Sequence, residues 1–376
     1  MQGTRRKGQS KLWRVVMAVV LGLSLCLLQF RSLHQRRRHD LSSADSKRRQ
    51  PMPPVQAQPS SSSQRSGQPQ SPQDALPRPN PAPKSAPVPP PDGASSATVA
   101  PGALVFLTVG DWGMRLPSAK AVAKQMGLWA ELHGAAFVVS VGDNFYPYGV
   151  KDVHDRQFET TFERMYSAKA LQIPWYLVLG NHDYAFNGRK GNTTAQLLYS
   201  KVSPRWHMPD RHYVTDPMAV GDGAHLQLFT LDFYEHYSLT KGTPSQVEWL
   251  DAALAGSSAR WKLLITHKPL YSSGDKHGSS KDLQAQLVPL MQKHSVQAVW
   301  SGDDHHLEVL EAHGLTFFIS GGGGGQSVRK LRRHVKESKF ALPVYGFTMH
   351  SVNSTHLESW VVEKNGTVLY HHVIAS

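Results

Sequence analysis

The chain has 376 residues, with 41 Lys and Arg against 28 Asp and Glu, a formal net charge of +13 and a single cysteine, Cys26. Such a charge suggests a nucleic-acid binder, but 15 of the basic and 4 of the acidic residues lie in residues 1–100, leaving 26 against 24 in residues 101–376. The C-terminal part is therefore near neutral, which argues against a nucleic-acid role driven by bulk charge, and one cysteine excludes a disulfide framework.

Residues 1–14 form a basic tail with Arg5, Arg6, Lys7, Lys11 and Arg14, and residues 15–30 continue without a charged side chain. A helix over that stretch would span about 24 Å. This is short for a plasma-membrane span but tolerable in a thinner internal membrane if Arg14 and Arg31 extend along the interface. No small-x-small cleavage pattern follows; Arg31 and Arg36-Arg37-Arg38 come instead, so a transmembrane signal anchor is expected, with a cleaved signal peptide as the alternative. Arginines on both flanks leave the orientation open. Residues 31–100 read as a disordered Pro/Ser-rich stalk, since residues 51–91 hold 14 prolines among many Ser and Gln and offer little to bury.

From residue 101 the pattern is that of a globular domain. Ala103-Val109, Phe137-Val141 and Trp175-Leu179 are short, continuously apolar runs that read as buried strands, with a helix over Ser118-Leu132 between the first two. A second alternation runs through Leu226-Leu231, a helix opened by Pro244 near Gln246-Leu254, Lys262-Ile265, a helix over Leu283-Lys293, and Val296-Trp300. Strand then follows strand: Leu307-Leu310, Thr316-Ser320, Phe347-Val352, His356-Val362 and Thr367-Val373. The expected fold is α/β, two packed mixed sheets covered by helices. Three sequons, at Asn192, Asn353 and Asn365, favour a lumenal or extracellular domain anchored in the secretory or endomembrane system.

Five of the apolar runs end in a motif that joins oxygen and nitrogen donors to a sharp turn: Gly110-Asp111-Trp112-Gly113, Gly142-Asp143-Asn144-Phe145-Tyr146, Gly180-Asn181-His182-Asp183, Thr266-His267-Lys268-Pro269 and Gly302-Asp303-Asp304-His305-His306. In α/β sheets ligands bind beyond the carboxyl ends of the strands, so these donors gather at one edge, which is the layout of a dinuclear metal site.

The five blocks, in this order, resemble those of the calcineurin-like metallophosphoesterases. Tyr146, three residues after Asp143, narrows the likeness to the purple acid phosphatases, and Asn144 through Tyr148-Gly149-Val150 to Gln157-Phe158 is similar to their tartrate-resistant mammalian type. The resemblance covers residues 101–376 and implies a four-layer α/β/β/α sandwich with the metal site at strand C-terminal ends. It further implies an acid phosphatase that hydrolyses phosphate monoesters by means of a hydroxide bound to two metal ions. One metal, Fe(III), would be held by Asp111, Asp143, Tyr146 and His305, and the other, a divalent Fe, Mn or Zn, by Asp143, Asn181 and His267. His182 would protonate the leaving group or bind a phosphate oxygen, with His277 as a second substrate-facing histidine or, equally, a solvated loop residue. Asp183 is expected to fix His182 or a neighbouring ligand.

The family pattern Gly-His-x-His is replaced here by Gly302-Asp303-Asp304-His305. Asp303 then takes the place of a histidine on the second metal, and a hard oxygen there favours Mn or Mg over Zn. Alternatively Asp303 points away and His306 or solvent completes the set. Gly321 to Gly325 is expected to be a flexible loop beside the site, and Arg329-Lys330-Leu331-Arg332-Arg333 a solvated one. Only eleven residues separate Asp232 from Pro244, fewer than in the mammalian enzymes, which implies an open pocket without proteolytic activation. Phosphodiester or nucleotide hydrolysis on the same centre, and a membrane-anchored phosphatase-like scaffold with weak turnover, are the alternatives.

Overall fold

The computed structural model describes residues 97–186, 189–232, 245–332 and 335–376. The basic tail, the apolar segment, most of the stalk, the short loop before Pro244, Pro244 itself and Arg333 lie outside the described residues. Among those described, no helix is long and apolar enough to cross a membrane.

The chain runs β1 (Leu104–Val109), α1 (Pro117–His133), β2 (Phe137–Ser140), a π-helical turn (Phe158–Glu163), a short 3-10 turn (Lys169–Leu171), β3 (Trp175–Leu177), α2 (Asn181–Tyr184), the hairpin β4 (Ala185–Phe186) and β5 (Arg189–Lys190), and α3 (Thr193–Tyr199). It continues through β6 (Trp206–His207), β7 (Met218–Ala219), β8 (His225–Thr230), α4 (Gln246–Ala255), β9 (Trp261–Ile265), α5 (Lys281–Lys293) and β10 (Ala298–Ser301). Then come β11 (Leu307–Ala312), β12 (Leu315–Ser320), β13 (Ser338–Leu342), β14 (Gly346–Val352), β15 (His356–Glu363) and β16 (Val368–Ala375). The helix start expected at Pro244 is made by Ser245, whose hydroxyl accepts from the Glu248 amide while the Glu248 carboxylate accepts from the Ser245 amide at 2.8 Å.

Two seven-stranded mixed sheets result, ordered β16-β15-β14-β1-β2-β3-β6 and β13-β11-β12-β10-β9-β8-β7. In the first, β1, β2 and β3 are parallel; in the second, β8, β9, β10 and β12 are. Side-chain alternation assigns the layers. Phe106, Phe137 and Val139 face Leu263, Ile265 and Trp300 across the space between the sheets. Val105, Leu107 and Val109 face outward onto Val122 and Met126 of α1, and on the far side Leu264 and Val299 meet Leu250 of α4 and Leu287 of α5. This is the α/β/β/α sandwich expected from the sequence. Its parallel strands bring the ends of β1, β2, β3, β9 and β10 to one edge.

Candidate metal centre

Each donor sits on the turn that follows its strand. Asp111, Asp143 and Asp303 all have positive φ, at 58°, 53° and 65°. For a residue with a Cβ this left-handed backbone costs about 1–2 kcal/mol. Three such turns, each presenting a carboxylate, mark a place where the fold holds strain for a purpose. The preceding glycines make the close approach possible: a Cβ on Gly180 would lie 2.2 Å from Asp143 Oδ1, and one on Gly302 would lie 2.4 Å from Asp111 Oδ2.

The donors sort into two groups. In the first, Asp111 Oδ1 lies 3.1 Å from the Tyr146 hydroxyl and 3.4 Å from His305 Nε2, and the last two are 3.4 Å apart. In the second, His267 Nε2 lies 3.3 Å from Asn181 Oδ1, 3.5 Å from Asp143 Oδ1 and 3.7 Å from Asp303 Oδ1. Asp111, Asp143 and His267 each offer a ligand atom within 4.8 Å of the others, which links the groups through Asp143. All three are buried.

Electrostatics shows what such a cluster requires. Burial opposes charge on Asp111, yet the hydrogen bond from His305 and the charges of His267 and His305 outweigh it and hold that carboxyl below its usual range. Burial and the Asp111 charge raise Asp143. Burial also disfavours a charged His267, but Asp143, Asp111 and Asp303 overcome it and push the imidazole up to about 9. Packed carboxylates in a dry site thus demand positive charge. Hard oxygen donors with two imidazoles and a phenol suit a pair of cations. In addition, His277 Nε2 is buried without a hydrogen bond and lies 3.4 Å from Asp303 Oδ1.

The Asp303 carboxylate therefore turns into the site. His306, the alternative donor, is fully buried elsewhere and meets Glu308 Oε2 at 2.8 Å through Nε2. His182 packs against Tyr146 with the rings tilted at 54° and their centroids 4.5 Å apart; its amide donates to Asp143 Oδ1 at 2.9 Å and its Nδ1–H to Pro147 O at 3.0 Å. His277 is drawn to the site by Asp303, not left in solvent.

Of the two roles expected of Asp183, the structure shows the second: its carboxylate accepts from the amides of Gly180, Asn144 and Phe145, at 2.8, 3.1 and 3.1 Å, so it ties the Asp143 loop to the Asn181 loop. One expectation needs correction. Gly321 to Gly325 is not a flexible loop. All five are buried, and Gly323 and Gly325 donate to the carbonyls of Gly110 and Asp111 at 3.0 and 2.8 Å, a fit that side chains would prevent. The basic stretch is solvated as expected where described, with Lys330 and Arg332 exposed, although its backbone is held by the Leu331 bridge to Gly274 and by Arg329 N donating to His305 O at 3.1 Å.

Two acids escaped the sequence reading. Asp304 is buried and accepts from Ser272 Oγ at 2.6 Å, from the Gly278 amide at 2.9 Å and from the His277 amide at 3.2 Å. Glu308 accepts from Ser273 N and Oγ at 2.8 and 2.5 Å. Together they seat the loop that carries His277. Asp304 lies within the fifth motif, and an acid directly beside a candidate ligand was the available signal.

Fold and site together define a phosphoesterase, and a family model for calcineurin-like phosphoesterase matches residues 104–307. The chain belongs to that family, on its purple acid phosphatase side. It is 31% identical over 306 residues to human tartrate-resistant acid phosphatase type 5, covering 73% of this chain and 92% of that one. It is 33% identical to Arabidopsis thaliana purple acid phosphatase 7, over 72% of this chain and 85% of that one. Among solved structures, GAP50, titled the anchor in the inner membrane complex of Plasmodium, superposes with a TM-score of 0.65 at 25% identity, over 73% of this chain and 89% of that one. The yellow lupin purple acid phosphatase PPD1 shares the fold, with a TM-score of 0.57 at 19% identity, over 73% of this chain and 54% of that one.

Proposed function

We propose that this chain is an acid phosphatase, a hydrolase of phosphate monoesters working at a dinuclear metal centre. The observation that carries the reading is the division of the donors into two groups sharing Asp143. Asp111, Tyr146 and His305 would hold one metal, Fe(III), and Asn181, His267 and Asp303 a divalent Fe, Mn or Zn, with Asp143 between them. When bound, such a pair supplies Lewis acidity at a phosphoryl oxygen and an activated water, in the acidic range when one member is ferric iron.

The chain's own side chains do the rest. The bond from Nδ1–H of His182 to Pro147 O fixes the ring, so that the imidazolium delivers its Nε2 proton to the departing alkoxide and is left as the Nδ1–H tautomer. His277 faces the site from the opposite loop, held by Asp303 at its ring and by Asp304 at its amide. Asp183 keeps the turns bearing Asp143 and Asn181 in register, so the two donor groups keep their spacing.

The anchor at residues 15–30, the stalk, a lumenal or extracellular domain and glycans at Asn192, Asn353 or Asn365 belong to this reading. They are supported by the sequence. A second reading, an anchored phosphatase-like scaffold, has two supports, Asp303 in the place of a ligand histidine and the likeness to GAP50. Hydrolysis of p-nitrophenyl phosphate from pH 4 to 8, with metal analysis of the same preparation, separates the two. Turnover with an acidic optimum supports the phosphatase, and metal-bound protein without turnover supports the scaffold.

A further inference from the structure

A cavity of about 350 Å³ lies outside the metal centre and is lined by Arg115, Lys120, Arg156, Thr160, Arg164 and Met165. Four of these six side chains are cations, in a domain whose charges otherwise nearly cancel. Arg164 is paired with Glu159 at 2.6 Å, and the nearby Glu163 is turned to Arg205 at 2.9 Å. Among the described residues Arg115, Lys120 and Arg156 have no acidic partner within ion-pair distance, so three positive charges face one opening uncompensated.

The cavity is formed by two elements. Arg115 and Lys120 flank the start of α1, and Arg156, Thr160 and Arg164 come from in and around the π-helical turn Phe158–Glu163.

A short loop joins the cavity to the metal centre. Arg115 follows Asp111 by four residues, which limits their Cα separation to about 14 Å. The intervening loop is tied to the Tyr146 loop by Gly113 N donating to Asp143 O at 3.2 Å and Tyr146 N to Gly113 O at 2.9 Å. Gln157, next to Arg156, donates from its side chain to Gly149 O at 2.8 Å.

The geometry points to a second anion subsite: the Arg115/Arg156 cavity takes a further phosphate of a multiply phosphorylated substrate while the metal centre takes the scissile one. Two guanidinium groups offer paired donors suited to phosphate oxygens, and Lys120 adds charge without demanding a particular orientation. The inference rests on the phosphatase reading for its catalytic consequence, but not for the binding itself. The ligand class is a soluble phosphoester with two or more phosphates, since the opening is a discrete cavity, unlike the broad basic face that a lipid surface would require.

The test compares ATP with p-nitrophenyl phosphate in the full chain, with Arg115→Gln and Arg156→Gln combined. All four cations are exposed, so the double variant should melt as the wild type does. The expected result is a KM for ATP raised about tenfold at unchanged kcat, with both constants for the single-phosphate substrate unaltered. An ATP KM within twofold of wild type, or an equal change for both substrates, overturns the subsite. If neither substrate is turned over, the phosphatase reading fails separately, and calorimetry with inorganic tripolyphosphate decides the binding: a Kd about tenfold weaker in the double variant supports the subsite and equal affinity refutes it. Loss of sedimentation with phosphatidylserine vesicles, without any effect on ATP or tripolyphosphate, would assign the cations to a membrane and also overturn the proposal.

Discussion

His350 should make the stability of this domain fall with acidification, and by a calculable amount. The ring lies between the sheets, where Trp300 Nε1–H donates to its Nε2 at 3.0 Å and its Nδ1–H donates to Ser359 Oγ at 2.8 Å. A proton on Nε2 would displace the Trp300 bond and place a cation among Phe106, Trp300 and Phe318, whose rings lie 4.6, 5.0 and 5.3 Å from the imidazole. Burial accordingly holds its pKa well below the ordinary value of 6.5. Between the folded value and 6.5 the unfolded chain binds more protons than the native one, so stability is full above that window and is lost as pH falls through it. The slope is about 1.4 kcal/mol per pH unit, which bounds the loss at about 2 kcal/mol at pH 5. For a domain of this size that corresponds to a Tm lower by up to about 3–4 °C. Thermal melts of wild type and His350→Gln from pH 7.5 to 5 measure it, because glutamine supplies an acceptor and a donor but does not titrate. Other histidines contribute to both curves and cancel in the difference. Parallel Tm–pH curves for the two proteins would refute the reasoning.

Iron-loaded wild type should absorb in the visible through the Tyr146 phenolate, and Tyr146→Phe should bleach it; a colourless, fully active protein would remove iron from the site. Asp303→His should shift preference toward Zn, and Asp303→Ala should weaken one metal of the two, with activity partly restored at high divalent metal; unchanged metal content and rate in Asp303→Ala would make that residue a bystander. Asp304→Asn loses the charge that receives three hydrogen bonds from the His277 loop. It should lower kcat about tenfold, equivalent to 1.4 kcal/mol, with both metals retained. Equal kcat, or loss of metal, would show that Asp304 acts otherwise.

The strands and their terminal donors were legible because a buried strand is a short apolar run and a Gly-Asp turn ends it visibly. Leu104–Val109 and Ala298–Ser301 follow that rule. β13, β6 and β7 were not, since Ser338–Leu342 mixes exposed and buried residues at a sheet edge and the other two are only two residues long. The clamps were hidden for a different reason. Asp304 meets the loop amides 26 and 27 residues away, and Asp183 reaches Asn144 across 39, contacts that only the packed strand ends create. The glycine run was misread because five glycines signal freedom locally, whereas here they permit the backbone to press against Gly110 and Asp111. His350 carried no signal at all, because its partners come from both sheets.

The central claim is that Asp143 joins two cations into one centre, and metal content of the purified full chain tests it most directly. The account predicts about two metal ions per wild-type chain, and loss of both, together with hydrolysis of p-nitrophenyl phosphate, in Asp143→Ala, because the shared carboxylate offsets repulsion between cations only about 3.5–4 Å apart. An Asp143→Ala protein that still holds two tightly bound metals would contradict it.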